Sequence, residues 1–299
     1  MGRAAVGAAF AGGALRQALP GEAARPPDLV VAHGEDAQAN VRKAIELLGG
    51  MNRFVSKGDI VVVKPNIGWA RSPRQAANTS PDVVAAIIAL ALEAGAKEVK
   101  VFDLSINNSQ ECYEVSGIAA AAKQAGATVK FCDPRFFREM EIKGATLKKW
   151  PVYTEAVECD CLINVPAAKQ HSMSGLTMAL KNHMGIIGGQ RGDWHTSFDE
   201  YASDFAGFIK PKVKLTVLDA YRVLVRNGPS GGSVRDVEAP HKCVAGIDQV
   251  AVDAYGTTFF KTPQGTPIKP ENLGYLVKAK AKGVGEIDLS KLVLQNVEV

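Results

Sequence analysis

The chain reads as an α/β protein: a mostly parallel sheet with helices on both faces, in a three-layer, Rossmann-like arrangement. Three observations predict it. Short β-branched runs alternate with stretches of helical period. The run Ile60-Val61-Val62-Val63 is apolar without a break. Polar residues gather just after the runs, at Lys64-Pro65-Asn66, Asp103-Leu104-Ser105, Lys169-Gln170-His171 and Asp219. An unbroken apolar run marks a strand covered on both faces, as strands of parallel sheets are. In such sheets ligands bind beyond the C-terminal strand ends.

Each element has its own warrant. Leu29-Val30-Val31 is the first strand. Residues 37–48 follow with Val41, Ala44, Ile45 and Leu48 at helical spacing, and Gly49-Gly50 stops them. After the strand at 60–63, Ser80 caps a helix whose first position is Pro81 and whose Asp82 suits the helix dipole. That helix passes through Val84, Ile87, Ile88 and Leu92 to Gly95. Further strands are expected at 99–102, 128–131, 161–165 and 215–218, with a helix near 118–124. Residues 244–247 lead into a helix capped by Asp248 and running to about residue 260. The glycine-rich stretches 185–192 and 227–232 read as loops.

Composition narrows the function. The 299 residues are 46% hydrophobic and 22% charged, ordinary for a globular protein. A net charge of +4, with no basic run, gives no footprint for nucleic acid. The five cysteines, Cys112, Cys132, Cys159, Cys161 and Cys243, form neither a disulfide framework nor an iron–sulfur spacing, so no iron–sulfur cluster is expected. They read as buried small hydrophobes. Residues 1–26 stand apart from the α/β domain expected over 27–299. Their Ala/Gly-rich run is too short to span a bilayer. It reads as the remnant of an export signal, placing the protein in the periplasm if translation starts upstream, or else as a disordered tail of a cytoplasmic protein. No phosphate-binding G-x4-GK[ST] occurs, and neither glycine-rich stretch has the dinucleotide-binding pattern.

The chemistry concentrates between Asn164 and His195. That stretch holds Lys169, His171, Lys181, Asn182, His183, Arg191, Asp193 and His195, three of the five histidines among them. Histidine suits proton transfer near neutral pH and metal ligation. Lys181 lies between Met178-Ala179-Leu180 and Met184-Gly185-Ile186-Ile187, a setting that can tune an amine into a nucleophile or base. Each residue also has an ordinary structural reading. Lys181 can complement a helix C-terminus, His183 can be a core histidine bonded to backbone, and His195 can pack at a surface turn. Asp248 is first a helix cap, and Asp253 in its apolar helix requires a buried partner. Co-occurrence at strand ends favours the chemical reading. Histidines 171, 183 and 195 are evenly spaced, but spacing alone does not make a metal site.

At these residues the chain resembles a known family. Lys64-Pro65-Asn66, Asn164-Val165-Pro166 through Lys169-Gln170-His171, Gly175-Leu176-Thr177, Ala179-Leu180-Lys181-Asn182, Gly228-Pro229 and Gly246-Ile247-Asp248 through Val252-Asp253 are similar to the family called domain of unknown function 362. The resemblance covers about residues 58–260. Many members carry a ferredoxin-like iron–sulfur insert, whose cysteines this chain lacks, and many exported members begin with a twin-arginine signal. A more distant similarity is to the nickel-pincer lactate racemase family. There a histidine lies ten residues before the lysine that holds the cofactor, and a further histidine binds nickel. His171, Lys181 and His195 reproduce that order. The racemase segment that supplies a second base corresponds to Asp103-Leu104-Ser105, which has no histidine.

The resulting expectation is an isomerase- or racemase-like enzyme acting on a small anionic substrate with a divalent metal or nickel cofactor. Lys181, His171 and Asp103 would be catalytic. Lys64, Asn66, Lys169 and Asn182 would hold the substrate, and His171 and His195 the metal. The alternative is an exported module that binds an anion or cofactor beside redox proteins, without turnover.

Overall fold

The computed structural model describes residues 25–299. The export-signal reading falls almost wholly on residues 1–24, outside the described residues. The elements begin with β1 (Leu29–His33) and α1 (Ala37–Leu47), followed by β2 (Ile60–Pro65), α2 (Pro81–Glu93) and β3 (Glu98–Val101). Then come α3 (Ser109–Val115), α4 (Ile118–Gln124), β4 (Thr128–Val129), β5 (Phe137–Glu141), β6 (Lys149–Tyr153) and α5 (Thr154–Glu158). The central segment is β7 (Cys161–Val165), β8 (Ala167–His171), β9 (Gly175–Thr177) and α6 (Ala179–Asn182). The chain finishes with α7 (Phe198–Ile209), β10 (Val213–Leu224), β11 (Val237–Glu238), β12 (Lys242–Gly246), α8 (Gln249–Gly256), α9 (Gly274–Ala281) and β13 (Leu294–Glu298).

The main sheet runs β13-β1-β12-β10-β7-β2-β3-β4. Its pairings are parallel except around β12, which is antiparallel to both β1 and β10. The sheet is therefore mixed and mostly parallel, with helices around it. Alternation along β2 shows how it is covered. Val61 and Val63 enter the core beneath α1, α2 and α4, while Val62 faces the opposite layer with Leu162, Trp194 and Phe205. Farther along the sheet, Leu29, Val31, Leu218 and Val244 pack under α8 and α9. Both faces are thus dry, which is why β2 tolerates no polar residue before Lys64. Among the described residues no helix is long and apolar enough to cross a membrane.

The α2 start differs in one respect from the sequence expectation. Ser80 holds the N-cap position and Pro81 the first turn, but the Ser80 hydroxyl makes no capping bond. Its backbone N–H instead donates to the Asp219 carboxylate at 2.6 Å, so β10 ties down this helix start. Burial pushes the Asp219 carboxyl up to about 6. Asp248 does cap α8, accepting from the backbone of Val250 and Ala251. The sequence reading did not anticipate the β5–β6 hairpin, α3, α5, β8 and β9, α7, β11, α9 or the edge strand β13.

Candidate active site

Three parallel strands and one reversal build the site. β2 delivers Lys64 and then Asn66, β3 delivers Asp103, and β7 ends at Pro166. The chain then turns into β8, which pairs with β10 and carries Lys169 and His171 across the top of the sheet. β9 returns antiparallel and passes directly into the single turn of α6, which holds Lys181 and Asn182. So short a helix has little stability of its own. The Asp253 carboxylate holds its start, accepting from the N–H groups of Ala179 at 2.5 Å and Leu180 at 3.0 Å. That is the buried partner which Asp253 requires, and it fixes the origin of Lys181.

These elements enclose a cavity of about 350 Å³, walled on its polar side by Asp103, Lys169, His171, Lys181, Arg191 and His195. Trp69, Ile106 and Met173 line its apolar side. Four cations belong to this region: Lys64, Lys169, Lys181 and Arg191. Among the described residues Asp103 is the one carboxylate in the cavity wall. It is already engaged. Asp103 Oδ1 lies 2.7 Å from Lys64 Nζ, and Oδ2 accepts from the Ile67 N–H at 2.6 Å. Lys64 is fully buried and also donates to the Pro65 carbonyl and Asn182 Oδ1.

Among the described residues the remaining cations have no carboxylate partner. Lys169 Nζ donates to Asn66 Oδ1 at 2.9 Å and to the Ala77 carbonyl at 2.5 Å. Lys181 Nζ meets the Met184 thioether at 3.2 Å and stands 4.5 Å from the centre of the Phe198 ring. Burial lowers both amines to about 7. Arg191 adds to the lowering at Lys181. At Lys169, Lys181 and Lys64 add to it, against the opposing pull of Asp103. Arg191 spans the loop by donating to the carbonyls of Leu104, Ser105 and Met184.

The two histidines are distinct. His171 Nδ1 accepts from the backbone N–H groups of Met173 and Ser174 at 3.1 and 3.3 Å. Its lone pair is therefore committed, and in the neutral ring the proton sits on Nε2, which bonds to no protein group among the described residues. Burial, then the charge of Lys181, lowers His171 to about 3, so the ring is a neutral donor in the cavity wall. His195 lies 5.3 Å away between ring centres and stacks on Phe198. Its Nδ1 is buried without a hydrogen-bond partner among the described residues.

Residues 61–258 match the family described as domain of unknown function, DUF362. The chain belongs to this family. A thylakoid-associated protein of Synechocystis sp. is 29% identical over 206 residues, 67% of this chain and 63% of that protein. The chain thus spans less than two thirds of that relative. Among solved structures, a protein from Thermotoga maritima is similar with a TM-score of 0.42 and 13% identity, over 67% of this chain and 54% of that one. The lactate racemase apoprotein from Thermoanaerobacterium thermosaccharolyticum is similar with a TM-score of 0.43 and 14% identity, over 79% and 57% respectively.

In this DUF362 chain the structure brings together Asn66, Asp103, Lys169, His171, Lys181, Asn182 and His195. Lys64 is the exception. It points into the ion pair behind the wall, so it positions Asp103 rather than meeting a ligand. Asp103 in turn is an ion-pair partner whose oxygens are held, not a free base. His171 does not suit a metal, because its acceptor nitrogen is occupied by backbone. Among the described residues no three His, Cys, Asp or Glu side chains are placed to hold a metal ion. His183 is a core histidine, bonded to the Gln249 side chain at 2.7 Å rather than to backbone. Arg191 was present in the polar cluster but not singled out. Its position in a glycine-bounded loop was the available signal.

Proposed function

We propose that this protein is an enzyme acting on a small anionic substrate received between Lys169 and Lys181. One observation carries the reading: two buried amines face a cavity whose one carboxylate among the described residues is already paired to a third lysine. Buried charge without a counter-charge is costly, and these amines avoid it by giving up protons near neutrality. An anion reverses that balance. It raises both amines, gains charge-assisted hydrogen bonds and accepts the Nε2–H of His171. Asn66 and Asn182 hold the surrounding frame, since Asn182 Oδ1 accepts from both Lys64 and Asn66.

Binding is therefore expected to take up protons. Titration calorimetry with oxalate at about pH 8, in buffers of different ionisation enthalpy, reads this directly. Uptake of up to one proton per amine is expected, with affinity falling as pH rises from about 7 to 9. Lys169→Met should weaken binding by about 10- to 100-fold, the loss of one charged hydrogen bond of ~1.5–3 kcal/mol. Binding without proton uptake, or no binding, defeats the proposal.

A second reading rests on His195, whose buried Nδ1 has no partner beside a lysine that also lacks a carboxylate. A metal on protein side chains alone does not fit that donor set, but a cofactor bringing its own donors does, with Lys181 as tether and His195 as ligand. Such a group would supply Lewis-acid polarisation of a substrate oxygen. Plasma mass spectrometry of protein purified from its source organism should then show stoichiometric nickel that His195→Ala removes. Metal-free protein would exclude this reading and leave the amines as the chemical groups.

A further inference from the structure

We infer that Lys181 condenses with a carbonyl group, so that the substrate is an oxo acid carrying an aldehyde or ketone near its anionic group. This rests on the anion-binding reading and assigns different tasks to the two cavity lysines. Lys169 Nζ is held by two oxygens, Asn66 Oδ1 and the Ala77 carbonyl, and is 1% exposed. Both bonds use N–H donors, so this nitrogen is fixed as an anchor. Lys181 Nζ reaches no oxygen among the described residues. Its neighbours are a thioether, which is a weak acceptor, and an aromatic face. A buried ammonium needs strong acceptors, whereas a neutral amine with a free lone pair needs none.

The surroundings serve the same chemistry. Phe198 and Met184 offer the amine no oxygen, and Arg191 disfavours its protonation. A desolvated lysine beside another cation is the setting in which amines attack carbonyls. The Lys181 nitrogen forms a bond to the carbonyl carbon while the oxygen takes a proton. The second N–H proton and that oxygen then leave as water, giving a C=N bond. Amine and carbonyl yield imine and water, and no oxidant or reductant is consumed. An oxo acid sets its anionic group against Lys169 and the Nε2–H of His171 and its carbonyl against Lys181, so Lys181 attacks as the free amine, whereas a dianion such as oxalate faces both amines and charges both. His195 lies on the same wall, its ring centre 5.3 Å from that of His171.

Reductive trapping tests the inference. The full chain is treated with glyoxylate and cyanoborohydride near pH 7, and intact mass and peptide mapping follow. One adduct per chain is expected, on Lys181, suppressed by excess oxalate. Lys181→Arg should form no adduct while its urea midpoint stays close to the parent's. That retained midpoint shows the variant is folded. Lys169→Met should still form the adduct, with a glyoxylate requirement about tenfold or more higher. No adduct on Lys181, or equal labelling of Lys181→Arg, overturns the inference while oxalate binding leaves the anion-binding reading intact. An adduct on Lys181 that oxalate fails to suppress keeps the condensation and defeats the anion-binding reading.

Discussion

Gly185→Ala is expected to destabilise the protein by about 3–5 kcal/mol, the cost of breaking a buried ion pair. A Cβ at this position would lie 1.6 Å from Asp103 Oδ1 and 2.7 Å from Lys64 Nζ. The carboxylate would have to leave, stranding a fully buried ammonium. The backbone has little room to retreat. The Gly185 carbonyl accepts from the Leu104 N–H at 2.8 Å, and the preceding Met184 carbonyl accepts from Arg191. Gly192, in the same loop, provides the control, because a Cβ there meets nothing within 4 Å. Gly192→Ala should shift stability by less than about 0.5 kcal/mol, as surface changes do. Urea unfolding reads both, with the midpoint moving and the slope unchanged. Equal small shifts would show that the Asp103–Lys64 pair is not what holds these strand ends together.

The second large effect is on pH dependence. Lys169 and Lys181 lie near 7 in the folded protein and near 10.5 in an unfolded chain. Between those values the unfolded chain holds protons that the folded one has released, so stability rises with pH. Each amine contributes about 1.4 kcal/mol per pH unit. The penalty is fully present below about 7 and is relieved as pH climbs. Above about 9 the buried thiols act in the opposite sense, since burial raises Cys159 to about 11 and Cys161 to about 12. Burial raises the Asp253 carboxyl to about 7, which opposes the amines until that proton is gone, so the clean window is about pH 8 to 9. Urea midpoints across it should rise, and Lys169→Met or Lys181→Met should each remove about half of that slope. Saturating oxalate should flatten it, because the bound anion keeps the amines charged. A flat profile without ligand would mean that the amines stay protonated, and the basis for proton uptake on binding would be gone.

Much of the fold was legible because its signals are local. The unbroken run at β2 reports burial on both faces. The Ser80-Pro81 start of α2 and the Asp248 start of α8 are short-range helix punctuation. The hairpin β5–β6 was harder to see, because its alternating, largely exposed residues in Phe-Arg-Glu-Met-Glu carry no unbroken apolar run. The reversal of β12 was also hidden. A five-residue strand reads the same in either direction, and its neighbour β1 is far away in sequence, while loops and the short β11 separate it from β10.

The sequence by itself determined which chemical groups are available and that they cluster after strand ends: Lys169, His171, Lys181 and His195, with Asp103 and Lys64 nearby. Only the tertiary structure decided what each group does. β2 lies between β7 and β3, which sets Lys64 against Asp103 and removes both from free chemistry. The turn after β8 points two backbone N–H groups at His171, making it a donor instead of a metal ligand. α6, held by Asp253, leaves Lys181 among sulfur and aromatic carbon, while β8 sets Lys169 against two oxygens. The physical reason is the same in each case. A side chain's charge and proton depend on what lies within a few ångströms, and those neighbours come from strands and turns distant in the chain.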